Sequence, residues 1–269
     1  MAFFYDTHAH LDYPDYANEL PAALERAHAA GVTRIISVGT SLASSERAIA
    51  LAERFPQIYA AVGWQPSETD EAPEDLRPAL RELAKHPKVV AIGETGLDHH
   101  WLPSKTNHGT PEDDARAIAT QVLAFRQQLE VAAEFGLNVI VHERECFEAV
   151  LAELVPFVGR VRAVFHCFVS DVATLNRVMA IGSWVSFTGI LTFKNGQTVR
   201  DSLAAAPAGR FMLETDSPYL APVPYRGKRC EPAFLQATAE VAARARGCSM
   251  DELSEATCRA AAEFFPRLG

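Results

Sequence analysis

Short apolar runs alternate with longer stretches of helical spacing along the whole chain. Eight short runs, rich in β-branched or aromatic residues, predict strands at Phe3–His8, Arg34–Val38, Ile58–Val62, Val89–Gly93, Val139–His142, Val161–His166, Trp184–Phe187 and Arg210–Glu214. Nine helices are predicted between and after them, at Leu20–Ala30, Ser44–Phe55, Glu74–Lys85, Asp114–Phe135, Glu145–Leu154, Val172–Ala180, Thr198–Ala205, Glu231–Arg246 and Met250–Phe264. Strands that alternate with helices are typical of a parallel sheet.

The number of these units favours a closed α/β barrel. Eight strand–helix units within about 250 residues are typical of a TIM-like (β/α)8 barrel. An open doubly wound sheet would usually carry a glycine-rich loop after its first strand, whereas here that strand runs into THAHLD. We expect residues 1–269 to form one domain. The polar, aperiodic stretch Asp98–Asp114 predicts a long loop at the carboxyl end of the barrel, where barrel enzymes place their active sites.

Composition and charge narrow the class of protein. Hydrophobic residues make up 48% of the chain and charged residues 22%, as in ordinary globular proteins. The net charge of −9 argues against general binding of nucleic acid through lysine and arginine, although a bound divalent metal would reverse the local charge. The uncharged stretch Val178–Phe193 is the strongest candidate for a transmembrane helix, but it is shorter than the roughly 20 apolar residues that a membrane span needs. With no visible secretory signal and five cysteines without a CxxC pair, we expect a cytoplasmic protein with reduced thiols.

Six side chains able to bind metal lie at the predicted strand ends. His8 and His10 end the first strand two residues apart, so both point the same way. The others end or follow strands four, five, six and eight, and are Glu94, His142, His166 and Asp216. Any of them alone has a simpler explanation, such as a hydrogen-bonded structural histidine. Because the carboxyl ends of barrel strands converge on one axis, their joint placement favours a metal site.

The mixture of ligands points to two ions. Four histidines and two carboxylates suit zinc, manganese, iron or nickel ions and, less comfortably, Mg²⁺. Six ligands exceed the need of one catalytic ion with an open position, but they fit two ions about 3.5–4 Å apart. We expect Glu94 to bridge the ions. Asp216 is the candidate catalytic residue, which would bind one ion and accept a proton from the attacking water.

The motifs together resemble a known family. DTHAHLD, GETGLD, VHER, FHCF, SFTGILTFKN and LETDSPYLAPVPYRGKR are similar to motifs of the TatD family of metal-dependent deoxyribonucleases, within the amidohydrolase-like superfamily. The resemblance runs from about Phe4 to Phe265. It implies a TIM-like barrel, divalent metals and 3′-to-5′ removal of nucleotides from DNA. The family's metal-ligand positions map onto the same six residues.

The chain departs from the family's pattern at three places. Gln65 stands where many members have a histidine, Cys230 replaces an asparagine, and Val169–Ser170 replace Ser-Gly. A glutamine can still donate a hydrogen bond to phosphate but carries no charge. These differences leave the six ligands intact and concern contacts with substrate.

Three residues are candidates for substrate binding. Gln65 is one, through its amide. Arg144 follows His142 by two positions and would share its direction, so its guanidinium could bind phosphate. Arg226 belongs to a basic cluster with Lys228 and Arg229. A structural ion pair for Arg144 and a solvated loop for the cluster are the simpler alternatives.

These observations leave three hypotheses for function. The leading one is a DNase that removes nucleotides from single-stranded DNA ends, with no protein partner implied. The second keeps the metals but cleaves an amide or ester, as a deacylase acting on charged tRNA would; Gln65 keeps it open. The third is a metal-loaded binding or scaffold protein with little turnover. Loss of catalysis without loss of binding in Asp216→Asn would separate an enzyme from a scaffold.

Overall fold

The computed structural model describes residues 2–106 and 109–268, and its eight parallel strands lie in sequence order around one sheet. The strands are β1 (Phe4–Ala9), β2 (Val32–Val38), β3 (Ile58–Val62), β4 (Val89–Asp98), β5 (Asn138–Arg144), β6 (Ala163–Phe165), β7 (Trp184–Phe187) and β8 (Phe211–Leu213). The segment after β8 closes the sheet against β1, since Ala9 bridges Ser217 and the amide of Asp216 donates to the carbonyl of His8. The predicted TIM-like (β/α)8 barrel is confirmed.

The helices cover the outside of the barrel. They are α1 (Leu20–Ala29), α2 (Leu42–Arg54), α3 (Arg77–Ala84), α4 (Pro103–Thr106), α5 (Pro111–Phe135), α6 (Phe147–Leu154), α7 (Val172–Ala180), α8 (Gln197–Ala205), α9 (Leu235–Arg246) and α10 (Met250–Phe264). The predicted starts of α3 and α9 were too early. Pro78 lies in the first turn of α3, and Pro232 begins a separate 3₁₀ turn ahead of α9, because proline fits an opening turn. Within the two described ranges, none of the helices has the length and apolar character of a membrane span.

The predicted loop Asp98–Asp114 contains more regular structure than the sequence suggested. Strand β4 continues to Asp98, and α4 adds a short helix within the stretch. Helix α5 begins at Pro111 because Thr110 and Asp113 form a capping box, with the Thr110 amide 2.7 Å from Asp113 Oδ2. Asn107 and His108 of this stretch lie outside the described residues. The prediction of an irregular loop was therefore wrong at Asp98, at Pro103–Thr106 and at residues 111–114.

Apolar side chains fill the barrel interior at its amino-terminal end. Alternate residues of the strands point inward and pack as one cluster, which includes Ile36, Val90, Ile140, Val164, Trp184 and Met212. The end of α10 closes this cluster from below with Phe264, Phe265 and Leu268. The carboxyl end of the barrel is thereby left as the place where polar side chains can meet.

Three glutamines of α5 bind the backbone of loops at the carboxyl end of the barrel or beside it. The amide of Gln128 accepts from the Trp64 N–H (2.8 Å) and donates to the Trp64 carbonyl (3.0 Å). Gln121 makes the same pair of bonds with Asp98, at 2.9 and 3.1 Å. Gln127 bonds the Leu76 N–H and the Glu74 carbonyl. These buried amides fix the loops through main-chain atoms.

Candidate metal centre

His8 and His10 meet at the end of β1. His8 lies within the strand and His10 follows it, and their Nε2 atoms are 3.3 Å apart. The Nδ1 atom of His10 lies 3.0 Å from the carbonyl oxygen of Val38. A carbonyl oxygen can only accept, so this contact places a proton on His10 Nδ1, and in the neutral ring Nε2 then carries a free lone pair. Both rings therefore present nitrogen to the same point.

A bulge in β4 turns Glu94 into the barrel. Ile92 pairs with Val139, but the next pair is Thr95 with Val141, so β4 carries one extra residue between these pairs. Gly93 adopts φ +150°, and a Cβ there would lie 2.8 Å from Ile140 Cβ, so this position requires glycine. The sequence analysis ended the strand before Glu94, whereas the strand continues beyond it to Asp98.

The two oxygens of Glu94 face two different pairs of histidines. Its Oε2 lies 3.5 Å from His8 Nε2 and 3.6 Å from His10 Nε2. Its Oε1 lies 2.9 Å from His142 Nδ1 and 3.1 Å from His166 Nε2. The two nitrogens of this second pair are 3.4 Å apart. One buried carboxylate thus lies between both pairs.

Asp216 completes the cluster from the segment after β8. It adopts a left-handed backbone conformation with φ +56°. Its Oδ1 lies 3.6 Å from His8 Nε2 and 3.5 Å from His10 Nε2. The structure thus brings all six predicted ligand residues together. Among the described residues, two triplets present ligand atoms within 4.8 Å of one another, namely His8–Glu94–His166 and His8–His10–Asp216.

The charges of the cluster compensate each other in a buried setting. Burial alone would raise the pKa of Glu94, but the neighbouring imidazoles, above all His166, hold that pKa well below its usual range. Burial would lower the pKa of His166, yet the carboxylates of Glu94 and Glu214 raise it well above its usual value. Burial and the charge of His166 lower the pKa of His8. Metal binding at these nitrogens would displace protons from the cluster.

Two further carboxylates contact the outer nitrogens of the histidines. Asp98 Oδ2 lies 2.8 Å from His142 Nε2. Glu214 Oε1 lies 3.5 Å from His166 Nδ1 and accepts a 2.7 Å bond from the Cys167 N–H. Such contacts orient a ligating ring and set its tautomer. The sequence analysis did not select Asp98, although the period-two spacing from Glu94 along β4 could have revealed it.

A cavity of about 700 Å³ opens over the cluster. Gln65 and Arg144 line it. The Gln65 Oε1 accepts from the Ser67 N–H at 3.2 Å. Arg226 is not among the described residues that line the cavity, since its guanidinium lies over the Phe193 ring (3.9 Å) and donates to the Ala221 carbonyl. The structure brings two of the three predicted substrate contacts to the cavity.

Aromatic residues that the sequence analysis did not select also line the cavity. The Tyr13 ring stacks on His10 at 4.9 Å between centroids, and Tyr219 lies 6.2 Å from Tyr13. Trp101 lines the wall near Arg144. Each lies within a few residues of one of the motifs, and that proximity was the available signal. Cys230, by contrast, is buried away from the lining, and its carbonyl accepts from the Tyr16 hydroxyl at 2.7 Å.

Comparison with known proteins agrees with this geometry. Residues 5–266 match the family described as TatD related DNase. The metal-dependent hydrolase YabD of Bacillus subtilis, described as uncharacterized, is 35% identical over 97% of this chain and 98% of its own. The 3′-5′ ssDNA/RNA exonuclease TatD of Enterobacter lignolyticus is 36% identical over 86% of each chain. The crystal structure of YJJV, a TatD homologue of Escherichia coli, superposes with a TM-score of 0.87 at 27% identity over 98% of each chain.

The family match covers nearly the whole chain, and the six clustered residues lie in the motifs that carry the resemblance. The chain belongs to the TatD-related DNase family.

Proposed function

We propose that this protein is a metal-dependent 3′–5′ exonuclease that acts on the single-stranded ends of DNA. Its family is one of metal-dependent hydrolases, and relatives along nearly the whole chain are named as 3′-5′ ssDNA/RNA exonucleases. The observation that carries the proposal is the Glu94 carboxylate, which lies between two histidine pairs beneath an open cavity. The amide or ester alternative is not favoured, because these relatives are named as nucleases.

The donor set fits two divalent ions, for which Mg²⁺, Mn²⁺ and Zn²⁺ are the candidates. His8, His10 and Asp216 would hold one ion, and His142 and His166 the other. Glu94 would contribute one oxygen to each. The donor set fits metal ions because Nε2 of His10 and of His166 remains available as a ligand. The other ring nitrogen of each residue is already engaged, since His10 Nδ1 contacts a carbonyl and His166 Nδ1 faces Glu214.

The residues around the centre have separate roles in this proposal. When bound, the ions would supply Lewis-acid polarisation and a more acidic water. Asp216 is 14% exposed toward the cavity and accepts the proton of the attacking water. The Arg144 guanidinium and the Gln65 amide bind oxygens of the phosphodiester from the cavity wall. Arg226 contacts the nucleic acid farther from the scissile bond, since it lies outside the lining.

The test is a time course on 5′-labelled single-stranded DNA with the metal-reconstituted protein. Mg²⁺, Mn²⁺ and Zn²⁺ are compared, and an RNA oligonucleotide of the same sequence is run in parallel. We expect a ladder that shortens from the 3′ end and a loss of at least about 100-fold in rate in Asp216→Asn, in line with the removal of a proton acceptor. Absence of cleavage with every ion, in protein shown by metal analysis to be loaded, would refute the proposal.

Two lesser expectations stay predictions. They are a single domain over residues 1–269 and a cytoplasmic location, which the five free thiols favour.

A further inference from the structure

Trp101 differs from the other two tryptophans of the chain. Trp64 and Trp184 are buried, and their indole N–H groups donate to the Glu68 and Gly209 carbonyls at 2.8 and 2.9 Å. Trp101 is 54% exposed and lines the cavity over the metal centre. Exposure of so large an apolar ring at a cavity rim indicates contact with a ligand.

The turn that carries Trp101 is tied to the metal centre. Asp98 Oδ1 accepts from the backbone N–H groups of His100 (2.8 Å) and Trp101 (3.1 Å). The other oxygen of the same carboxylate lies 2.8 Å from His142 Nε2. A single buried side chain therefore positions both a metal-ligand candidate and the backbone of the aromatic residue.

Glu145 braces the same turn from the end of β5. Its Oε1 lies 2.6 Å from His100 Nδ1, and its Oε2 accepts from Lys105 Nζ at 2.8 Å. Lys105 also donates to the His99 carbonyl at 2.7 Å. These contacts and those of Asp98 hold the backbone beside Trp101 in one place relative to the centre.

The surroundings of the ring match the chemistry of a nucleotide. The guanidinium carbon of Arg144 lies over the Trp101 ring at 5.4 Å from its centroid, and the His100 ring stands perpendicular to the same ring at 4.9 Å between centroids. Trp101 and Arg144 both line the cavity. An exposed aromatic ring in contact with a cation complements a base joined to its phosphate. Tyr219, 52% exposed, lines the cavity from the β8 side, four strands away around the barrel.

We propose that Trp101 is a stacking platform for a nucleobase adjacent to the scissile phosphate, and that Arg144 contacts that same phosphate. This inference rests on the proposed nuclease function and adds a basis for strand selection. A base can stack on Trp101 only after it leaves its neighbours in a duplex, which costs energy that an unpaired end does not require. The platform therefore favours single-stranded ends.

Steady-state kinetics on single-stranded DNA test the platform. In Trp101→Ala we expect KM to rise roughly 5- to 150-fold with a much smaller change in kcat, as the loss of one stacked base predicts. Trp101→Phe should recover most of the loss. Leu123→Ala is the matched control, since Leu123 is 48% exposed on α5 and outside the cavity lining. Melting temperatures verify that the variants are folded.

Abasic substrates separate stacking from a general structural effect. Oligonucleotides with one abasic site, placed on either side of the 3′-terminal phosphodiester, are compared with the intact strand. With the abasic site at the stacking position, the kcat/KM of the wild-type protein should exceed that of Trp101→Ala by no more than about twofold, because the platform then has no base to bind. An equal loss in the variant on intact and on both abasic strands would overturn the proposal, as would no loss on the intact strand.

Fluorescence tests the contact without turnover. A phosphorothioate thymidine hexanucleotide should quench the emission of the wild-type protein, and Trp101→Phe should lose most of that quench, because the remaining tryptophans are buried. An equal quench in Trp101→Phe would overturn the platform even if the protein cleaves DNA. A Trp101-dependent quench in a loaded protein that cleaves no DNA would support the platform while refuting the exonuclease.

Discussion

The Glu214→Gln substitution tests how far the metal centre depends on its outer contacts. The change replaces one buried carboxylate oxygen by an amide nitrogen. Glu214 accepts from the Cys167 N–H at 2.7 Å and from the Ser186 hydroxyl at 2.6 Å. A glutamine can keep both contacts, because its carbonyl can take the N–H and the Ser186 hydroxyl can rotate to accept. Only the contact with His166 Nδ1 changes, because it loses the negative charge of its partner.

The expected cost falls on the ion held by His142, His166 and Glu94. Loss of an outer partner of a ligating histidine typically costs about 10- to 100-fold in metal affinity. Tenfold corresponds to about 1.4 kcal/mol, so the expected loss is about 1.4–2.8 kcal/mol at that ion. The affinity for the ion held by His8, His10 and Asp216 should stay unchanged. Within the described part of the chain, the side-chain contacts of Glu214 are with His166, Cys167 and Ser186.

Calorimetric titration of metal-free protein with Mn²⁺ or Zn²⁺ measures both affinities. Glu231→Gln is the matched control, because Glu231 is also buried and paired, with Arg26 at 2.6 and 2.8 Å, but lies outside the cluster. We expect it to lower stability without weakening either ion. Unchanged affinities in Glu214→Gln, or an equal loss at both ions, would contradict the assigned contact with His166.

Two further predictions concern stability. Gln128→Leu leaves the buried N–H and carbonyl of Trp64 without their present partner, so unfolding in urea should require about 2–6 kcal/mol less, at 1–3 kcal/mol for each group; a loss below about 1 kcal/mol would show that these bonds contribute little. Divalent metal should stabilise the fold by about 2.7 kcal/mol at 100 times its dissociation constant, seen as a rise in Tm that EDTA reverses. The same Tm with metal and with EDTA would show that the six residues bind no ion under those conditions.

The sequence was sufficient for the strand–helix order and for the gathering of the six polar residues. Both depend on periodicity and on the convergence of strand ends, which are local patterns repeated along the chain. The sequence could not predict that the two Glu94 oxygens face different histidine pairs, because this orientation depends on a bulge that forms only when β4 pairs with β5. The glutamines of α5 were likewise invisible, since a glutamine in a helix is usually exposed. Their burial depends on backbone groups distant in sequence.

The bonds from α5 to loop backbones bear on how this enzyme can diverge. Gln128 bonds the backbone N–H and carbonyl of Trp64, and every amino acid except proline has both of these groups. Replacement of the neighbouring Gln65 would remove its own bond to the Ser67 N–H, but it would leave the two bonds that hold Trp64 in place. A single replacement at the cavity rim would therefore change the side chain offered to a ligand and leave the Trp64 backbone in its position. The scaffold thus uncouples the chemistry of the rim from the placement of the backbone that carries it.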